Sequence, residues 1–214
     1  MKVFFLEIEN KTDILALAAF LISLATIMTN IFLMIKGPEI YMVKPDQVAI
    51  TFSQQKKSSE KYVKLVADNY FFNKASPGYD DVISKMNVSM AFGSEVIDLR
   101  WQYFAITDTD GSNVFERDRK PVKPILVKAR QSDGAEIHYL PYTIRNSQKY
   151  KNYMTWEKFK EIIQKEKVTI IHVTFRYETF SNAKGEVNCD IEVSESFLAN
   201  ILDIEKNRAD VACF

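Results

Sequence analysis

The sequence predicts a mainly β protein: one N-terminal transmembrane helix followed by an antiparallel β-sandwich with one or two short helices. Three observations carry that reading. An uninterrupted apolar run lies near the amino end, several later segments alternate apolar and polar residues, and only two segments have helical spacing.

From Ile14 to Ile35 there is neither a charge nor a proline, and a helix of about 20 such residues matches the ~30 Å hydrocarbon layer. A secretory signal has a shorter apolar core, about 7–15 residues, ending in a small-x-small cleavage site. Here the run is longer and passes into "MIKGPEI", so the expectation is an uncleaved anchor. The predicted organisation is a tail over 1–13, a transmembrane helix over 14–35, a connector over 36–46 and a soluble β-sandwich over 47–214. Later apolar runs are broken by charges, so mean hydropathy is only −0.17 although 47% of residues are hydrophobic. The chain therefore reads as single-pass, in a cell (inner) membrane.

Within the span, Thr12, Ala16, Ala19, Ser23, Thr26 and Asn30 recur at alternating steps of four and three, the spacing of one seam in a left-handed helix pair. Small residues let helix backbones approach in a bilayer, and Ser, Thr and Asn can hydrogen-bond across the contact. The competing reading is that the hydroxyls bond back to their own helix. It accounts for Ser and Thr better than for Asn30, whose carboxamide has no such internal solution. Ala16, Ala19, Ser23, Thr26 and Asn30 are the predicted helix–helix interface, toward a second copy or a membrane partner. The flanks "MKVFFLEIENKTD" and "KGPEIYMVKPD" carry two lysines each, a tie under the positive-inside rule. Glu7, Glu9 and Asp13 make the amino flank the less positive, which leans the soluble body to the cytoplasmic side.

After "GPEIYMVKP", a stiff proline-containing connector, the strand signals begin. "QVAITF" (47–52), "YVKLVADNYFF" (62–72) and "DVISKMNVSMAF" (81–92) come first, then "EVIDLRWQYFAITD" (95–108), "PILVKARQ" (124–131) and "AEIHYLPYTI" (135–144). "KVTIIHVTFRYETF" (167–180) and "GEVNCDIEV" (185–193) face each other across a glycine-containing turn, the clearest hairpin signal in the chain. Val82, Met90, Leu99, Trp101, Ile170 and Phe175 are the expected inward residues. Helical spacing marks 155–166, where Thr155 is an N-cap and Trp156, Phe159, Ile162 and Ile163 share a face, and 194–207, with Phe197, Leu198, Ile201 and Leu202.

The stretches "YFFNKASPGYDDVI" (70–83), "DLRWQYF" (98–104) and "KPILVKARQSDGAEIHYLP" (123–141) resemble poorly characterised bacterial single-pass membrane proteins with an immunoglobulin-like β-sandwich domain. The resemblance covers most of the soluble part, implies that fold, and carries no catalytic residue across.

Charge balances at 28 basic against 28 acidic residues, so no nucleic-acid partner is expected. Cys189 and Cys213 are too few for a disulfide framework or a thiolate zinc site; Cys189 reads as a small buried hydrophobe and Cys213 as frayed. His138 and His172 lie inside predicted strands, where a packed or hydrogen-bonded histidine is the commoner role. In "ITDTDGSNVFERD" (106–118) the glycine falls too early for a calcium loop. No glycine-rich phosphate loop or G-x-S-x-G elbow is present. No catalytic, cofactor or metal site is predicted, and an enzyme is not expected.

Tyr150, Tyr153 and Trp156, at a loop-to-helix junction, are the candidate partner surface. Two functions fit. One is a non-catalytic subunit whose sandwich binds a protein partner and whose helix docks into a membrane assembly or homo-oligomer. The other is a ligand- or phage-responsive membrane effector that perturbs the bilayer when its helices associate.

Overall fold

The structure is a computed structural model that describes residues 2–3, 6–7, 11–54, 60–104, 120–141, 154–203 and 206–214. A two-residue pair, β1 (Lys2–Val3) with β2 (Leu6–Glu7), precedes the helix α1 (Lys11–Lys36). Within α1 the window Ile14–Phe32 has a mean hydropathy of 2.2 and is buried nowhere: the helix is long and apolar enough to cross a membrane.

Only residues 37–39 separate α1 from β3 (Ile40–Val43). Gly37, at φ +66, turns the chain out of the helix. The expected connector over 36–46 is therefore shorter, because β3 already pairs with the end of β5 (Lys61–Asn73), Ile40 opposite Asn73. β4 (Gln47–Gln54) pairs with the first half of β5.

The remaining strands are β6 (Asp81–Phe92), β7 (Glu95–Phe104), β8 (Lys120–Pro121), β9 (Ile125–Val127), β10 (Ser132–Leu140), β11 (Ile170–Thr179), β12 (Lys184–Glu192) and β13 (Ala209–Ala212). Together with β3, β4 and β5 they form one antiparallel sheet of eleven strands, ordered β12-β11-β6-β7-β10-β5-β4-β13, with β3 on β5, β8 on β7 and β9 on β6. The mainly β, antiparallel expectation holds; the immunoglobulin-like sandwich is not confirmed, because hydrogen bonding runs through the middle of the path and the accumulated strand twist curls the sheet nearly into a barrel.

What joins the two ends of the path is the second correction. Phe214 and Asp190 exchange backbone hydrogen bonds of 3.0 and 3.1 Å, and Cys189 on β12 is disulfide-bonded to Cys213, just past β13, with the Cα atoms 5.1 Å apart. That separation lies within the usual span of about 4.4–6.8 Å. Cys213 is buried, so it is not a frayed end. Bridging the two otherwise unpaired edges also removes the hazard that open edges carry.

The curl gives the domain two ends. At the distal end lie the β6–β7 turn, the start of β11 and the helices. α2 (Trp156–Lys165) starts as expected at Thr155, whose side chain accepts from the Lys158 N–H, and buries Trp156, Phe159, Ile162 and Ile163. α3 (Glu195–Leu202) is shorter than the sequence suggested and buries Phe197 and Ile201; Leu202 is exposed. At the other end, nearest α1, the turns at residues 74–80, 128–131 and 180–183 come together.

Between the ends, inward side chains of the described residues pack together. Phe71, Met86, Met90, Leu99, Tyr139 and Phe175 are all essentially inaccessible. Met90, Leu99 and Phe175 match expectation, and Trp101 packs partly buried against the core. Val82 and Ile170 do not point inward. On β11 the odd positions Ile171, Val173, Phe175 and Tyr177 face in, which turns Ile170 out, 44% exposed. On β6 the pairing jumps from Glu178–Lys85 to Thr179–Ile83. The skipped Ser84 is a bulge that reverses the inward parity, so Asp81 and Ile83 are buried in place of Val82.

Candidate functional site

Along α1 every residue of the predicted seam is exposed: Ala16, Ala19, Ser23, Thr26 and Asn30. The hydroxyls of Ser23 and Thr26 donate to the carbonyls of Ala19 and Ile22 at 2.9 and 2.8 Å, and Thr29 does the same to Ala25 at 2.8 Å. Ser and Thr are thus satisfied within the helix and offer a small smooth face rather than a demand for a partner. Asn30 stays the one seam side chain whose carboxamide hydrogen atoms a helix cannot absorb in this way.

Of the predicted aromatic surface only Trp156 lies among the described residues. Trp156 is wholly buried: its indole N–H donates to Asn207 Oδ1 at 3.0 Å and its ring stacks on Phe159 at 5.4 Å between centroids. The residue leads a helix whose apolar face plugs the distal end, so it is core and not partner surface. Tyr150 and Tyr153 lie outside the described residues, as does the 106–118 loop.

The end nearest α1 is held by polar side chains. Asn73 Nδ2 donates to the carbonyls of Tyr79 and Val127 at 2.8 and 3.2 Å, and its Oδ1 accepts from Ala75 N–H at 3.0 Å. Asp81 accepts from Ser181 Oγ at 2.6 Å and from the Val82 N–H at 2.7 Å. Burial alone would raise the Asp81 carboxyl, but hydrogen bonds from Ser181, Thr179 and backbone N–H groups outweigh it and hold it below its ordinary value. Tyr177 O–H donates to the Ile40 carbonyl at 2.7 Å, binding β11 to the strand that continues from α1. A Cβ on Gly185 would collide with the Tyr177 ring, so glycine there makes room for this bond.

Outside the barrel, His138 is buried in β10, where Ile137 and Tyr139 face inward, and its Nε2 pairs with Glu136 Oε1 at 3.1 Å. That hydrogen bond, against the opposing effect of burial, holds the Glu136 carboxyl below its usual range, with help from the His138, Arg208 and Lys64 charges. Asp68 is raised by burial and by the neighbouring Glu136 charge. His172 pairs with Asp190 at 2.7 Å. With β6 and β7 between β11 and β10, the two histidines stand three strand spacings apart across the sheet and, since His172 is level with Val96 and His138 with Tyr103, a further seven residues or roughly 23 Å apart along it, too far to share one zinc ion. Among the described residues no cluster of three or more His, Cys, Asp or Glu side chains is arranged to hold a metal.

An open groove of about 400 Å³ crosses the outer face of β6, β11 and β12, lined by Lys85, Asn87, Arg176, Glu178, Lys184 and Glu186 among others. Lys85 pairs with Glu178 at 3.1 Å and Arg176 with Glu186 at 3.4 Å, which offsets most of its charge. The disulfide and this groove escaped the sequence reading. The alternation that buries Cys189 was visible, whereas β13 is too short to announce that it brings Cys213 beside it.

No protein-family model matches the chain, and no curated protein matches it.

Proposed function

We propose that the chain is a non-catalytic, single-pass membrane component whose β domain binds a protein partner and whose helix docks laterally, into a second copy or a membrane-embedded partner. The observation that carries this reading is Asn30, a carboxamide on an otherwise small or internally satisfied seam of an apolar helix. In hydrocarbon such a group gains by meeting another helix. The packed barrel interior directs recognition to the outer surface, where the paired charges of the β6–β11–β12 groove favour a polar protein face over a small apolar ligand.

The Cys189–Cys213 bridge supports a domain on the oxidising side of the membrane, opposite to the side toward which the flanking charges lean. Protease added to sealed cells from which the outer layers have been removed should then degrade the domain; survival until lysis would return it to the cytoplasm. The docking test adds single cysteines at Ser23, Thr26 and Asn30, or at Leu24, Ile27 and Ile31, to the chain with its native bridge intact. Oxidative crosslinks to a second copy or to one co-purifying chain should form from the first set. Equal crosslinking from both sets refutes the docking face.

A further inference from the structure

We infer that the end of the barrel nearest α1 carries an apolar collar that rests in the headgroup layer of the bilayer its own helix crosses. This rests on the anchor reading given above.

The connector supplies the first argument. Ile40 is four residues beyond Lys36, the last residue of α1, and a fully extended chain covers at most about 14 Å in that distance. Lys36 itself lies four residues past Phe32, the end of the apolar window, or about 6 Å of helix. The interfacial layer beyond the hydrocarbon is about 5–8 Å deep on each side. The start of β3 therefore stands at, or within a short reach above, the headgroups.

The domain also leaves carbon uncovered at this end. Among the described residues outside α1, the exposed large hydrophobic ones are Tyr41, Val43, Tyr70, Val96, Leu126, Ile170, Phe180, Leu202 and Phe214. Five of these nine, Tyr41, Val43, Tyr70, Leu126 and Phe180, sit at the end nearest α1. Cross-strand register explains the grouping. Val43 is opposite Tyr70 on β3 and β5, Leu126 is opposite Val82 on β9 and β6, and the Phe180 N–H donates to the Val82 carbonyl. The distal end has its aromatic rings turned inward onto α2 instead. Amphipathic tyrosines and a phenylalanine at the height of the headgroups are the composition of a membrane-interface belt.

Charge decides the kind of surface. The same end carries Lys74, Lys128, Arg130 and Lys184, and also Glu39, Asp80, Asp81 and Asp133. The signs balance, and two of the carboxylates cap turns, Asp80 on Ala129 N–H and Asp133 on Gly134 N–H. Lys74 Nζ lies over the Tyr41 ring at 4.3 Å, a cation–π contact that engages this lysine's charge with the ring face. With no net charge the contact is driven by apolar burial and does not require anionic lipid.

The test uses the full chain, native bridge intact, reconstituted in vesicles of zwitterionic lipid with an environment-sensitive fluorophore on one added cysteine. Three positions are compared: Phe180→Cys in the collar, Val96→Cys at the distal end and Ile22→Cys in the helix. Lipids carrying a nitroxide quencher near the glycerol backbone should quench the collar probe by about twofold or more, with a blue-shifted emission, and lipids carrying the nitroxide near the acyl-chain end should quench the mid-span Ile22 probe. The distal probe should be unaffected, and 0.5 M salt should leave the collar signal in place, a concentration at which Coulombic attraction is largely screened. If Ile22 is quenched and Phe180 behaves like Val96, the collar is wrong while the anchor stands. If Ile22 is also unquenched, the anchor reading itself has failed. A blue-shifted but unquenched Phe180 probe would mean that protein covers the collar, which also overturns the proposal.

Discussion

The two ends of the barrel are closed by different chemistry. The distal end is plugged with carbon: Trp156, Phe159, Ile162, Ile163, Phe197 and Ile201 are buried there. The end nearest α1 is closed by hydrogen bonds in which Asn73 and Tyr177 donate to carbonyls of turns and strand ends, Ser181 donates to Asp81, and Thr179 accepts from the Ala183 N–H. Apolar burial is non-directional and contributes in proportion to area, so the plug holds firmly but fixes little. Hydrogen bonds contribute about 1 kcal/mol each, and more when one partner is charged, yet they set position closely. The end joined to α1 is the one built for position.

That contrast can be broken at the plug first. Trp156→Ala should cost about 3–5 kcal/mol, since it empties the largest fully buried side chain and strands its hydrogen-bond partner Asn207. Denaturant unfolding of the detergent-solubilised chain, followed by near-ultraviolet circular dichroism, reads the loss. A change below 1 kcal/mol would mean that the plug is dispensable.

Opening the seam between β12 and β13 comes next. Replacing Cys189 and Cys213 by Ser, or reducing them, frees a loop with a sequence separation of 24, for which chain entropy gives about 3 kcal/mol. The melting temperature should fall with reductant in the native chain and be insensitive to it in the double variant.

At the polar end the expected effect depends on pH. Asp81 binds its proton more weakly folded than unfolded, so the ionised form contributes stability at neutral pH, and this contribution is lost as pH falls below the ordinary value of 3.8. Asp81→Asn should be the less stable protein at pH 7, by about 1.5–3 kcal/mol as expected for hydrogen bonds to a charged group. The gap to the native chain should narrow at pH 3, as melting curves at the two pH values would register. An equal gap at both would remove the carboxylate from the closure.

The smallest effect expected is at the helix cap. Thr155→Ala removes the acceptor for the Lys158 N–H at 3.2 Å and should lower stability by about 1 kcal/mol, measured by the same denaturant titration. A loss as large as that of Trp156→Ala would mean that the cap, and not the apolar face, holds α2 in place.

Much of this was legible beforehand. α2 was readable to its cap, because Thr155 and the 156, 159, 162, 163 spacing are local signals. The long strands were readable because alternation is local too. Three features were hidden. A bulge at Ser84 changes parity without changing composition. Trp156 follows residues that read as loop, so a surface reading competed with the 156, 159, 162, 163 face, and its stacking on Phe159 and its bond to Asn207, 51 positions away, decide for the core. The union of Cys189 with Cys213 depends on β13 pairing with β4 across the whole domain, and no periodicity in the four residues Ala209–Ala212 announces that partner.

The connector of residues 37–39 has a mechanical consequence for any pair of these chains. Helices packed on one another stand about 8–10 Å apart. A closed sheet of eight strand positions measures about 38 Å round at ~4.8 Å per strand, roughly 12 Å across before tilt widens it, and side chains extend that to about 22 Å. Two such bodies cannot both stand upright over helices so close together. Each must be displaced outward by about 7 Å, within the ~14 Å that the connector can span, and tilt as it goes. The outer side of each rim is then pressed toward the lipid while the inner side is lifted. Helix pairing would thereby become a lever on the domain, converting an association inside the bilayer into a change of attitude above it.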